Sequence, residues 1–92
     1  RHERPSALDG IPRHLPALFR AQKLTRKAQK AGLLEPAPVE GAPRTSAALA
    51  KELFALAQYA QRKGWNAEDL LRAETGRRER ALRRREKTLD KR

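Results

Sequence analysis

Four cations recur at helical spacing near the start of the chain: Arg20, Lys23, Lys27 and Lys30. Steps of three, four and three residues place them along one flank of a helix. A row of ammonium and guanidinium groups is chemistry for phosphate, which such donors neutralise and hydrogen-bond. The plainer reading of the same row is a solvated helix flank. Other chemistry-bearing types lack the company they need. His2 and His14 have no Cys, His or paired acid at ligand spacing, so no metal site is read from them. There is no cysteine, hence no disulfide framework and no thiolate site. Ser6, Thr25, Thr45 and Ser46 have no base arranged to activate them and read as caps or surface groups. Tyr59 and Trp65 read as packing residues rather than base-stacking platforms.

The cations belong to a wider imbalance. The 92 residues carry a net charge of +11. Residues 1–32 hold eight Lys/Arg against two acids, residues 33–75 five against six, and residues 76–92 nine against three. Two basic ends therefore flank a near-neutral middle, and such ends attract nucleotides, nucleic acid or acidic proteins. In the last segment Glu79, Glu86 and Asp90 interrupt the basic run, as they do on a solvated helix. No apolar run approaches the ~20 residues of a membrane span. The opening has no signal-peptide pattern and begins on Arg1 rather than Met, which suits a piece of a longer, cytoplasmic protein.

Three helices must position these groups, and no run alternates as a strand would. The first is predicted from about Leu15 or Pro16 to a stop at Gly32. Its stripe of Ala17, Ala21, Leu24, Ala28 and Ala31 is small enough for a close helix neighbour, while Leu15 and Phe19 point the other way. Residues 33–46 form a linker, since Pro36, Pro38, Gly41 and Pro43 prevent a continuous helix. Thr45 or Ser46 then caps a second helix that ends before Gly64. Its Leu49, Leu53, Leu56 and Ala60 stripe is widened by Ala50, Phe54, Ala57, Ala55 and Tyr59. That girth predicts a central helix packed on more than one neighbour. "GWNAEDLL" opens the third helix with Asn66 as cap, Asp69 three residues on, and Trp65 placed to staple onto Leu70. Gly76 is expected to weaken or end it. Beyond Gly76 lies a basic helical tail, 76–92, in which only Ala81, Leu82 and Leu89 offer apolar surface for burial. A core of mainly Ala and Leu with four aromatics is thin, and help from a partner chain is expected.

The opening "SALDGIPRHLPALFRAQKLTRKAQKAG" resembles the lead-in and first helix of MazG-type nucleoside triphosphate pyrophosphohydrolases. There a Leu-Asp-Gly-(Val/Ile)-Pro segment precedes a Leu-Pro-Ala-Leu-x-Arg-Ala-Gln-Lys-Leu helix, and residues 8–24 match it closely. "ELFALAQYAQRKGWNAEDLLRAE" is similar to the family's later Leu-Phe-Ala-Leu helix and the turn after it. Together the two parts cover most of the chain in the right order. The resemblance implies an all-α unit that dimerises into a helical bundle and splits nucleoside triphosphates into monophosphate and pyrophosphate. It also implies Mg2+, held by Glu-Glu-x-x-Glu on one helix and Glu-x-x-Asp on the next. This sequence departs from that pattern. Where the first acidic helix belongs there is only the 33–46 linker, with Glu35 and Glu40. Ala48 and Lys51 stand at the places of the second motif's Glu and Asp. Glu74 falls where Asn or Asp is usual, Gly76 replaces a Lys, and Arg80 matches a family arginine.

The fold expected is therefore all-α, a small antiparallel bundle of three main helices, MazG-like and completed by dimerisation. A lead-in (1–14) precedes a single helical domain (15–92). The leading functional expectation is a MazG-like unit that has lost hydrolysis and serves as a dimerising structural or regulatory domain. The expected partners are a second copy or a second MazG-like unit, with no metal or other cofactor of its own. A second expectation keeps nucleoside triphosphate binding, or weak hydrolysis, on Arg20, Lys23, Lys27, Lys30 and Arg80. A third, from another class, is nucleic-acid binding through the basic ends; no zinc signature, stacking motif or membrane-seeking face accompanies the charge.

Overall fold

The computed structural model describes residues 5–35 and 39–90. His2, Pro36 and Pro38, and the predicted fraying at Arg92, lie outside them. Among the described residues there are three helices and no strand: α1 Ala17–Lys30, α2 Ser46–Lys63 and α3 Ala67–Asp90. None is long and apolar enough to cross a membrane.

The helix ends follow local chemistry. Pro16 precedes α1 in extended geometry, at φ −54° and ψ 147°. At the other end the Gly32 and Leu33 N–H groups donate to the Gln29 and Ala28 carbonyls at 3.1 and 2.8 Å. This paired closure needs a left-handed residue, and Gly32 supplies it at φ 73°. α2 closes in the same way: Trp65 N–H reaches the Ala60 carbonyl at 2.9 Å across Gly64 at φ 78°. Of the two candidate caps, Thr45 does the work, its Oγ1 accepting from Ala48 N–H at 3.1 Å. Asn66 Oδ1 accepts from Asp69 N–H at 3.0 Å and starts α3 as predicted. Gly76 neither ends nor interrupts α3, which continues to Asp90.

α1 and α3 lie against each other and run in the same direction. Ala17 meets Glu68 near their N-terminal ends, Arg20 meets Glu79, and Leu24 and Ala28 cluster with Leu82. The small stripe of α1 is what faces α3: Ala17, Leu24 and Ala28 are buried, while Ala31 stays exposed. Leu33, just past the α1 turn, completes the cluster. On α3, Thr75 is buried, Leu82 is half-buried, and Ala81 and Leu89 are exposed.

The lead-in is part of this core. Leu8 is its most buried large side chain. Ser6 Oγ and Ala7 N–H donate to the two Glu86 oxygens at 2.6 and 2.8 Å, and Arg83 donates to Asp9 at 3.0 Å. Gly10, at φ 93°, turns the strap towards Ile11 and α1.

α2 departs from expectation. The reading of a central helix packed on several neighbours is corrected: residues 46–59 are all exposed and only Ala60 is buried. Its wide apolar girth is real, but among the described residues no further helix or strap covers it. The shape records this, with a radius of gyration of 15.6 Å against about 12 Å for a compact chain of this length. Tyr59 and Trp65 pack edge-to-face on each other at 6.2 Å, yet each remains about half exposed.

Candidate functional site

Two surfaces carry chemistry, one cationic and one apolar. The cationic one is a cleft of about 440 Å³ along the α1–α3 seam, lined by Arg13, Arg20, Arg72, Arg80 and Arg83 with Gly76 and Glu79. The seam itself brings them together. Arg20 projects from α1 onto α3, where its Nη2 lies 2.7 Å from Glu79 Oε1, both side chains largely shielded. Glu79 Oε2 accepts from Arg83, whose other nitrogen reaches Asp9. Burial would raise the Glu79 pKa, but the hydrogen bonds from Arg83 and Arg20 outweigh it and hold the carboxyl below its ordinary value. The hydrogen bond to Arg83 likewise lowers Asp9, and Arg83 is raised in return.

Arg72 is fixed at the other end of the cleft. It donates to Glu68 at 2.7 Å and to the Arg13 carbonyl at 3.2 Å. Glu68 also accepts from Ala17 N–H at 2.7 Å, so one carboxylate from the first turn of α3 caps the N-terminus of α1. Pro16 has no side chain to do this, and a carboxylate is favoured at that positive end.

The predicted cations divide. Arg20 and Arg80 come together in the cleft, and Lys23, Lys27 and Lys30 do not join them. Lys23 sits over the Phe19 ring at 5.5 Å from its centre. Lys27 is half-buried beside the Gly10 turn, and Lys30 is exposed in the last turn of α1. Arg13, Arg72 and Arg83 were not singled out by sequence reading. Arg72, Arg80 and Arg83 lie four before, four after and seven after Gly76, on one face of α3, which was a usable signal; Arg13, held in the lead-in, had none.

The apolar surface is a groove of about 510 Å³ between the start of α1, α2 and the first turns of α3. Leu18, Leu53, Leu56, Tyr59, Trp65 and Leu70 line it, each 41% exposed or more. Trp65 and Leu70 both line it. Among the described residues no group of three or more His, Cys, Asp or Glu is placed to hold a metal ion. No family model, curated protein or solved structure matches the chain.

Proposed function

We propose that this chain is a MazG-like helical unit that has lost nucleoside triphosphate hydrolysis and works as a dimerising structural or regulatory domain. Two copies pair over the apolar face of α2. The observation that carries this reading is the uncovered face itself. Leu49, Leu53, Phe54, Leu56 and Tyr59 are 46, 41, 72, 60 and 47% exposed, and Leu18, Trp65 and Leu70 extend the patch. At about 150–250 Å² per large side chain, the patch leaves roughly 800 Å² of apolar surface in water. A monomer's largest patch is about 300–600 Å², whereas each partner of a stable complex buries about 800 Å². A second copy is the occupant that supplies an equal patch by symmetry. Glu52 towards one end of α2 and Arg62 towards the other are opposite in sign and would face each other when two such helices pair antiparallel.

The loss of hydrolysis is supported by what the carboxylates do. Asp9, Glu68, Glu74, Glu79 and Glu86 each hold an arginine or a backbone N–H. Lys51 and Ala48 occupy the places at which the resemblance puts metal-binding acids.

The test has two parts. Pyrophosphate release from a panel of nucleoside triphosphates, with Mg2+ and with Mn2+, is expected to be nil at high protein concentration. Sedimentation is expected to give a dimer that Leu53→Glu/Leu56→Glu splits into folded monomers. Release abolished by a chelator, or a wild-type monomer at 100-fold dilution and at the highest soluble concentration alike, overturns the reading.

A further inference from the structure

The arginine cleft carries an inference independent of dimerisation. Five guanidinium groups and one carboxylate line one hollow; with Asp9 and Glu68, which pair with Arg83 and Arg72 from its edges, the local charge is +2. Concentrating like charge is unfavourable unless something offsets it, and Glu79 offsets only part. Arg20 and Arg83 are held by Glu79 and Asp9, and Arg72 by Glu68 and the Arg13 carbonyl. Three of the five guanidiniums are thus fixed before any ligand arrives, which lowers the ordering cost of binding. No acceptor is found for the Arg13 and Arg80 side chains among the described residues, and their donors are open to a ligand.

The floor is shaped for the same purpose. Gly76 sits inside α3, where glycine costs about 1 kcal/mol relative to alanine. It leaves the floor bare, and a Cβ there would lie 3.6 Å from Arg80 Nη1.

The lining also defines what would be held. None of its lining residues is aromatic or aliphatic in type, so none is a usual platform for a base. The hollow is larger than one phosphate. Two linked phosphates carry roughly −3 to −4, enough to neutralise the excess of the walls. A long strand is disfavoured, because the adjoining hollow on the Arg83 side sets Asp9, Glu86 and Asp90 against Arg83 and Lys87 and carries no excess of positive charge. We propose that this cleft binds a compact oligophosphate anion by its phosphate groups alone, either as an inorganic ion or as the tail of a larger molecule.

Calorimetric titration with inorganic pyrophosphate at low salt, without divalent metal, tests it. Arg13→Gln/Arg80→Gln is expected to weaken binding at least tenfold. Arg84→Gln/Arg85→Gln removes the same charge from exposed positions outside the cleft and is expected to change it less than threefold. ATP should match pyrophosphate within about threefold if the phosphates alone are read, and monophosphate should bind at least tenfold more weakly. The Leu53→Glu/Leu56→Glu variant should bind pyrophosphate as the wild type does, which separates this site from the dimer. No heat with pyrophosphate, equal losses in the two arginine pairs, or binding to a 30-nucleotide single strand that exceeds pyrophosphate tenfold and grows with length, each overturns the proposal.

Discussion

α1 and α2 carry apolar stripes of nearly the same spacing, and the structure treats them oppositely. The α1 stripe disappears against α3, with Ala17, Leu24 and Ala28 at 0, 3 and 0% exposure. The α2 stripe stays in water through Leu49, Leu53 and Leu56. Periodicity fixes which side of a helix can be buried; it does not supply the surface that buries it. α1 receives that surface from two directions, α3 alongside and the Leu8 strap above. α2 is joined to α3 by Gly64, Trp65 and Asn66 and meets it near Ala60. The richer stripe is therefore the uncovered one, and its larger side chains suit an interface between chains better than the close seam that small residues make.

A matched pair of truncations puts the largest effect on this contrast. Leu24→Ala removes a side chain from a thin core and is expected to cost about 2–4 kcal/mol, enough to abolish a cooperative thermal transition in so small a domain. Leu56→Ala deletes the same atoms from an exposed position. Measured on dilute, monomeric protein it is expected to change stability by less than about 0.5 kcal/mol. Equal losses in the two variants would mean that α2 is covered within the single chain.

The next effect lies on the α1–α3 seam. Glu79→Gln withdraws charge-assisted acceptors from Arg20 and Arg83 and leaves both guanidiniums facing each other across the cleft. A loss of about 1–2 kcal/mol is expected at neutral pH, discounted for the solvent that reaches Arg83. The sign with pH is defined. Asp9, Glu74 and Glu79 all sit below their ordinary values of 3.8, 4.5 and 4.5. Each is charged more readily folded than unfolded, so its contribution is complete above the unfolded value. It is lost as pH falls through the lower, folded one. Urea midpoints should therefore separate wild type from Glu79→Gln at pH 7 and draw together as pH falls below 4.5. A gap that widens on acidification would show that Glu79 is not the acceptor binding the two helices.

Much of the fold was legible because it rests on local rules. Gly32 and Gly64 as stops, Thr45 and Asn66 as caps and the small stripe of α1 each follow from a few neighbouring residues. What was not legible depends on pairs far apart in the chain. Glu68 capping α1, Glu86 pinning the Ser6–Ala7 backbone and Glu79 bridging Arg20 to Arg83 join residues 51 to 80 positions apart. No spacing rule reaches that far. The same limit explains the candidate site. A ridge spaced three, four and three was a sound helical pattern, yet α3 touches only its Arg20 end. Thr75 is the exception that was within reach. It falls four residues after Leu71 and seven before Leu82, on the stripe that α3 presents to α1, and a hydroxyl there was easily passed over in favour of leucines. The MazG-like resemblance drew attention to missing carboxylates and away from those present, and the latter organise the fold.

Gly76 gives the smallest effect and the sharpest division between the two kinds of surface. It lies within α3 and is not among the glycines with positive φ, so alanine fits its backbone. Apart from the adjoining residues and the backbone of α3 itself, an added Cβ would meet Arg80 Nη1 at 3.6 Å, an ordinary contact with the end of a flexible side chain. Helix propensity and unfolded-state entropy then predict that Gly76→Ala raises stability by about 0.5–1 kcal/mol. A glycine kept for folding alone has no reason to stand there, since the fold improves without it. A glycine kept for the cleft does, because the methyl group occupies the floor beneath Arg80. The two measurements should move in opposite directions: thermal midpoint up by about 2–8 °C, pyrophosphate affinity down. A rise in stability with unchanged affinity would make Gly76 a tolerated defect of α3 and remove the floor from the proposed site.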